Sequence, residues 1–174
     1  TLLVPQDQLM TIVLTGTLDS VQFLTLEEDT SLPTDDATTT DLIFVNATSN
    51  PAPIQIDLID GAEAAATIFT ATLSAGETTN ALSVTESTQL SISTYNSDTN
   101  QLIWQSGDFG AAAGLRPIIT LVDHFGPSPE HRGLYVTPIG LFPFANESLP
   151  SALSFIHLIP DRTSIDIYSR AVSN

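Results

Sequence analysis

Three histidines with acidic neighbours are the residues best suited to acid–base or metal chemistry. His124 follows Asp123, and His131 follows Glu130, in a stretch rich in proline and glycine. Metal sites need ligands on a rigid frame with supporting hydrogen bonds, and two histidines seven residues apart in a loop do not provide one. His157 ends an apolar segment, where a hydrogen bond to turn backbone accounts for it. We therefore expect structural roles for all three.

The remaining catalytic patterns are missing from the sequence. It contains no Gly-x-Ser-x-Gly motif, no phosphate-binding glycine loop and no dinucleotide fingerprint. A glycosidase pair would have to be chosen among 20 acidic residues, and no spacing marks two of them. The sequence therefore predicts that the protein is not an enzyme.

Acidic residues within one connector are the candidate metal ligands: Glu27, Glu28, Asp29, Asp35 and Asp36. Hard cations take several carboxylate and carbonyl oxygens from loops between β-domains, so calcium is the one cofactor that this segment could hold. The sequence has no Asp-x-Asp-x-Asp-Gly loop, and an acidic linker that simply stays solvated explains the same residues. Both interpretations stay open.

Two asparagines begin an Asn-x-Ser/Thr triplet and are candidate glycosylation sites. Asn46 lies where a strand meets a turn, so an Asx turn explains it equally well. Asn146 lies in a loop with proline on either side and is the better glycan acceptor.

Aromatic residues suggest carbohydrate as an alternative ligand. Trp104 and Phe109, with Tyr95 nearby, could form a platform for a sugar. At period two, however, Trp104 shares a face with Leu102, which favours packing in a core or on a sheet face. Residues 141–144, Leu-Phe-Pro-Phe, are either a plug over the end of a sandwich or an exposed contact for a neighbour.

The charge balance excludes several classes of partner. The 174 residues include 20 acidic and four basic ones, for a formal charge of −16, and 42% are hydrophobic. Such a chain can bury a core but repels nucleic acids and anionic lipid. It has no cysteine and no apolar run long enough to span a bilayer. Because it opens on Thr1, we expect a processed product or a fragment, with any export signal removed.

Short segments of alternating apolar and polar residues recur along the chain, separated by turns rich in Gly, Pro and Asn. Strands of this length, about ten residues apart, are typical of a β-sandwich, so the predicted class is all-β. An Ala-rich stretch at 61–66 is expected to be a loop or a single turn. The predicted strands are residues 10–15, 21–26, 41–45, 54–59, 67–73, 81–84, 89–95, 101–105, 117–122, 134–138, 153–158 and 164–168.

An internal repeat of about 110 residues is the strongest signal in the sequence. Residues 42–58 align with residues 153–168, since each has an apolar strand, a turn and a strand ending Ile-Asp-Leu or Ile-Asp-Ile. Residues 11–16, Thr-Ile-Val-Leu-Thr-Gly, align with residues 118–123, Ile-Ile-Thr-Leu-Val-Asp.

These segments resemble a family of bacterial surface repeats, domain of unknown function 4397. The likeness lies in Phe-Val-Asn-Ala-Thr at 44–48, in Phe-Ile-His at 155–157 with Pro-Asp at 160–161 and Ile-Asp-Ile-Tyr at 165–168, and in Val-Leu-Thr-Gly-Thr-Leu-Asp at 13–19. The resemblance implies an Ig-like antiparallel β-sandwich, secretion and tandem arrangement, and it implies no activity.

The phase of the repeat divides the chain into four parts. Residues 1–32 match the closing strands of one repeat, residues 40–125 a complete repeat, residues 126–150 a Pro/Gly-rich connector, and residues 151–174 the opening strands of a further repeat. We therefore expect a sandwich with additional terminal strands from partial repeats. These strands either fold back together within one chain or meet between molecules, as in donor-strand complementation.

The leading hypothesis is an extracellular or cell-surface structural protein, a subunit of a fibre or layer assembled by strand pairing or strand donation. Its partner is then another copy of itself, in a homo-oligomer or polymer, with no nucleic acid and no membrane insertion. The alternative is a surface adhesion module that binds carbohydrate. The residues expected to carry assembly are Leu9, Thr11, Val13, Leu14, Phe155, His157, Ile165 and Ile167.

Overall fold

Twelve β-strands and one turn of 3-10 helix make up most of the chain that the computed structural model describes, residues 9–17, 20–28, 38–63, 65–123, 131–137 and 140–144. The short helix is Gly61–Glu63, within the stretch expected to be a loop or a single turn. The strands are β1 Leu9–Thr17, β2 Ser20–Glu28, β3 Thr39–Asn46, β4 Ile54–Asp60, β5 Ala66–Leu73, β6 Leu82–Thr85, β7 Ser87–Asn96, β8 Gln101–Gln105, β9 Phe109–Ala111, β10 Ile118–Asp123, β11 His131–Thr137 and β12 Gly140–Pro143.

Two five-stranded sheets form the body of the protein, and β1 and β2 form a separate hairpin. One sheet has the order β12-β11-β10-β3-β6. The other has the order β5-β4-β7-β8. On the edge of β7 that pairs with β8, the N-terminal part of β7 pairs with β9. Both sheets contribute side chains to one core, so the expectation of an all-β sandwich is confirmed.

The core follows from the alternation of residue types along the strands. In β4, Ile54, Ile56 and Leu58 are completely buried and alternate with partly exposed residues, as one face of a strand packed on a core requires. From the opposite sheet, Phe44 of β3 and Ile119 of β10 join the same cluster. Each such side chain stabilises the fold by about 1.5–3 kcal/mol relative to exposure.

Four aromatic rings fill one region of the core. Phe144 lies 4.9 Å from Phe109, 5.8 Å from Tyr135 and 6.1 Å from Trp104 between ring centroids, in edge-to-face geometry. Gly133 makes this packing possible, since a Cβ atom there would come within 2.5 Å of the Trp104 ring. Phe144 therefore packs against the core, and the expected role of residues 141–144 as a plug over the end of the sandwich stays a prediction.

The strand pairing departs from the expected antiparallel pattern at one place. β3 pairs with β10 in parallel, with Phe44 opposite Ile119, while the other pairs of the described strands are antiparallel. This pairing brings together residues 75 positions apart and joins the first and last strands of the segment 40–125.

Strand pairing continues past the boundary expected at residue 125. β11 and β12 fall within residues 126–150, which were expected to be a connector, and they extend the sheet beyond β10. The physical reason is that Tyr135 and Phe144 complete the aromatic part of the core. In the described part of the chain, no helix is long and apolar enough to cross a membrane.

Candidate assembly interface

The hairpin of β1 and β2 presents one apolar face to solvent. Its register places Leu14 opposite Phe23 and Ile12 opposite Thr25, so these four side chains share a face. Ile12, Leu14 and Phe23 are 41%, 63% and 68% exposed. Two strands alone are marginally stable in water and need a third strand or a packing partner, which this face does not have among the described residues.

The repeat gives each exposed residue of β1 a counterpart in β10. Aligning residues 11–16 with residues 118–123 matches Ile12 to Ile119 and Leu14 to Leu121. Ile119 and Leu121 are completely buried in the core of the sandwich. The same sequence pattern is therefore fully covered in one hairpin and open in the other.

The difference lies in the neighbours of the two strands. β10 lies between β11, which is antiparallel to it, and β3, which is parallel. β1 has an antiparallel neighbour, β2, but none of the described strands is a parallel neighbour of β1. The facing sheet that covers β10 likewise has no counterpart over Ile12 and Leu14 in the part of the chain that the structure describes, and both side chains are exposed.

Two further exposed apolar residues lie on the edge strand β12. Leu141 and Phe142 are both exposed, while Phe144, just past the strand, packs against the core. Because Leu141 and Phe142 are consecutive in the strand, they point to opposite faces of the sheet and do not form one apolar patch.

The residues expected to carry assembly divide between the two faces of β1. Leu14 is on the exposed face, but Thr11 and Val13 are on the opposite, half-buried face with Leu24 and Leu26. The exposed face belongs instead to Ile12, Leu14 and Phe23. Leu9 begins β1, and its side chain is not among those described. Phe155, His157, Ile165 and Ile167 lie outside the described residues.

Asn46 is a buried turn residue at the end of β3. Its Nδ2 donates to the carbonyl oxygen of Leu73 at 3.0 Å, and its Oδ1 accepts from the backbone N and the Oγ1 of Thr48 at 3.1 and 2.8 Å. The side chain is completely buried. A glycan on Nδ2 does not fit there, so the geometry corrects the candidate glycosylation site in favour of the Asx turn. Asn146 lies outside the described residues.

Trp104 does not offer a surface for a sugar. It is completely buried, with Phe144 against its ring, and Phe109 is partly buried in the same cluster. Leu102 is exposed and does not share its face, because the register shifts at Thr94 and Tyr95, opposite this part of β8. The expectation of core packing for Trp104 therefore agrees with the structure, although the period-two argument for it was wrong.

The candidate calcium ligands remain a prediction. Glu27 and Glu28 end β2, and Asp29, Asp35 and Asp36 lie outside the described residues. Within the described ranges, no three histidine, aspartate or glutamate side chains are grouped so as to hold a metal ion. Of the histidines, His131 begins β11 opposite Asp123, and His124 and His157 lie outside the described residues.

A cleft of about 750 Å³ opens where β6 lies beside β4 and β5. Its walls mix apolar groups such as Ile68 and Val84 with the carboxylates of Asp60 and Glu86. Asp60 already accepts hydrogen bonds from the backbone N of Ala62 at 2.9 Å and from the Ser87 hydroxyl at 3.3 Å. Nothing in the cleft selects a ligand.

Comparison of the chain with protein-family models, with curated proteins and with solved structures finds no match. The resemblance to the bacterial surface repeat family therefore stays a prediction carried by the residues quoted above. Among the described residues, the open face of the hairpin is the feature that points most directly to a function.

Proposed function

We propose that this chain is a non-enzymatic structural protein of the cell exterior, a subunit of a surface fibre or layer assembled by β-strand pairing between subunits. The observation that carries the proposal is the open face of the hairpin. Ile12 and Leu14 are exposed there, whereas Ile119 and Leu121, their counterparts in the repeat, are completely buried.

The hydrophobic effect supplies the driving force for such assembly. Covering Ile12, Leu14 and Phe23 would contribute about 1.5–3 kcal/mol for each side chain that is fully buried. The backbone of an added strand would contribute hydrogen bonds along the edge of β1 that none of the described strands occupies, as in other cases of strand addition to a sheet. A contact between two different surfaces of the chain need not close on itself, and one that stays open propagates into a polymer.

Charge opposes this assembly and makes it dependent on salt. Each copy carries a formal charge of −16, so two copies repel one another at low ionic strength. The screening length falls from about 30 Å at 0.01 M salt to about 10 Å at 0.1 M. We therefore expect the assemblies to form faster and to grow longer as salt is added.

Two matched variants of the hairpin test the proposal. Leu14→Asp places a carboxylate on the open face, and Gln22→Asp adds the same charge on the opposite face, where Gln22 is already exposed. Negative-stain microscopy and light scattering should show large, denaturant-resistant assemblies for the wild-type protein and for Gln22→Asp. Leu14→Asp should remain monomeric, with unchanged circular dichroism.

A wild-type protein that stays strictly monomeric at high concentration and high salt, with both termini intact, would refute the proposal. Assembly by Leu14→Asp as efficient as that by Gln22→Asp would also refute it, because the open face would then play no part.

A location at the cell exterior is part of the proposal and has its own test. It is supported by the acidic composition without lysine or cysteine and by the resemblance to secreted repeats. Antibodies against the purified chain should label intact cells. Label that appears only after the cells are broken would contradict it.

A further inference from the structure

β10 and β3 show how a strand of the β1 type is completed in this protein. The two strands run parallel, with Ile119 opposite Phe44 and Leu121 opposite Asn46. The side chains of all four residues are completely buried. The parallel neighbour thus covers the edge of β10 and places Phe44 beside Ile119 in the core.

The sequence contains a second segment of the β3 type. Residues 153–158, Leu-Ser-Phe-Ile-His-Leu, align with residues 42–47, Leu-Ile-Phe-Val-Asn-Ala. In this alignment Phe155 matches Phe44, and His157 matches Asn46. Since β3 itself is already paired with β10, this second segment of the same type can serve as a parallel neighbour of β1.

We infer that β1 of one copy binds residues 153–158 of a second copy as a parallel strand, in the register that β10 adopts with β3. Ile12 then lies opposite Phe155, and Leu14 lies opposite His157. The inference rests on the proposed function and deepens it, since it names the donated strand, its direction and its register.

The same donated segment also supplies a cover for the open face. Residues 165–167, Ile-Asp-Ile, align with residues 56–58 of β4. Ile56 and Leu58 are completely buried in the facing sheet, in the same cluster as Phe44 and Ile119. Ile165 and Ile167 of the second copy would therefore pack over Ile12 and Leu14 and close a small sandwich of four strands.

A donor from a second copy is required if the pairing is to build a polymer. A segment that bound β1 of its own chain would close the open edge and leave nothing for assembly. The pairing within one chain is therefore the competing outcome that the experiment must separate.

Disulfide formation between engineered cysteines tests the register, because the natural chain has none to interfere. Adjacent strands lie about 4.8 Å apart, within the Cα separation that a disulfide allows. Full-length Ile12→Cys is mixed with full-length Phe155→Cys, and Leu14→Cys with His157→Cys, and each mixture is oxidised gently. We expect both mixtures to give covalent dimers on a non-reducing gel.

Exchanged mixtures test the direction of the strand. In a parallel pair, Ile12→Cys with His157→Cys and Leu14→Cys with Phe155→Cys are diagonal and should react slowly. In an antiparallel pair centred on the same residues, these exchanged mixtures would be the ones that react. Val13→Cys with Phe155→Cys is the control for register. In the proposed register these two residues are offset by one position, so their thiols lie on opposite faces of the sheet and should not form a disulfide.

The outcomes separate this inference from the function on which it rests. Selective dimers in the two in-register mixtures support it. Wild-type assemblies without these dimers, or with dimers in the exchanged mixtures, overturn the register and leave the proposed function standing. A double variant, Ile12→Cys with Phe155→Cys, that forms its disulfide within one chain overturns donation, and an unassembled wild type without any dimer overturns both.

Discussion

The two hairpins β1–β2 and β10–β11 have first strands of related sequence and lie in opposite environments. Each pairs an apolar strand with an antiparallel partner, and the repeat matches Ile12 and Leu14 of the first to Ile119 and Leu121 of the second. The second hairpin lies in a sandwich, with β3 beside it and the β7–β8 sheet facing it. The pattern of a strand therefore specifies which face must be buried, but it does not specify what buries it.

The partner strands of the two hairpins also differ in an informative way. Leu121 lies opposite Gly133, which makes room for Trp104, whereas Leu14 lies opposite Phe23. The first hairpin therefore has a large exposed side chain at the position where the second has a glycine that admits Trp104.

The largest effect is expected when the same side chain is truncated in each hairpin. Ile119→Ala should lower the free energy of unfolding by about 2–5 kcal/mol, because it leaves a cavity in the core. Ile12→Ala should change it by less than about 0.5 kcal/mol in the dilute monomer, because Ile12 is already exposed. Urea unfolding followed by Trp104 fluorescence and by circular dichroism measures both.

Assembly should remove the difference between Ile12→Ala and Ile119→Ala. In the assembled protein, Ile12→Ala should weaken subunit association by more than about tenfold, since a loss of 1.4 kcal/mol corresponds to that factor. Leu14→Ala and Leu121→Ala form a second matched pair. Equal losses for the two members of a pair in the monomer would show that β1 is already covered within one chain.

A smaller effect on stability is expected from substitutions of Gly133 and Phe23, which lie opposite Leu121 and Leu14. Gly133→Ala should cost about 1–3 kcal/mol of stability, because its Cβ atom would meet Trp104 at 2.5 Å and Phe144 at 2.9 Å. Phe23→Ala should leave the stability of the monomer nearly unchanged. A shift of the Trp104 emission in Gly133→Ala alone would confirm the contact, and a neutral Gly133→Ala would contradict this account of the aromatic packing.

Local alternation was sufficient to predict most of the strands. β4 is the clearest case, since its three buried residues are every second residue of the sequence. β9 and β12 were not predicted because they have three and four residues and contain glycine or proline. The bulge opposite Leu102 and Trp104 was also invisible in the sequence, because a register shift depends on the partner strand.

The candidate interface could be predicted only in part. The repeat predicted that β1 lacks a partner within the chain, but it did not say which of its two faces lacks cover. Thr11 and Val13 were named with Leu14, although the pairing of β1 with β2 puts them on the other face. The parallel pairing of β3 with β10 is a long-range contact that no local pattern encodes, and it alone gives the direction of a donated strand.

The smallest expected effect concerns Tyr135, which lies opposite Ile119 in the buried hairpin, where β2 has Thr25 opposite Ile12. Burial raises the pKa of the Tyr135 hydroxyl above its ordinary value of 10.0. The unfolded chain therefore loses this proton at a lower pH than the folded protein does. Stability should be unaffected below about pH 9 and should fall as the pH rises through about 10 toward the folded pKa.

Tyr135→Phe removes the titrating group. Urea unfolding of this variant between about pH 9 and about pH 11 should therefore show a smaller loss of stability with rising pH than the wild type shows. Identical alkaline losses in the two proteins would mean that Tyr135 is as accessible to water as Thr25, and that the two hairpins differ less in burial than the packing of their partner strands indicates.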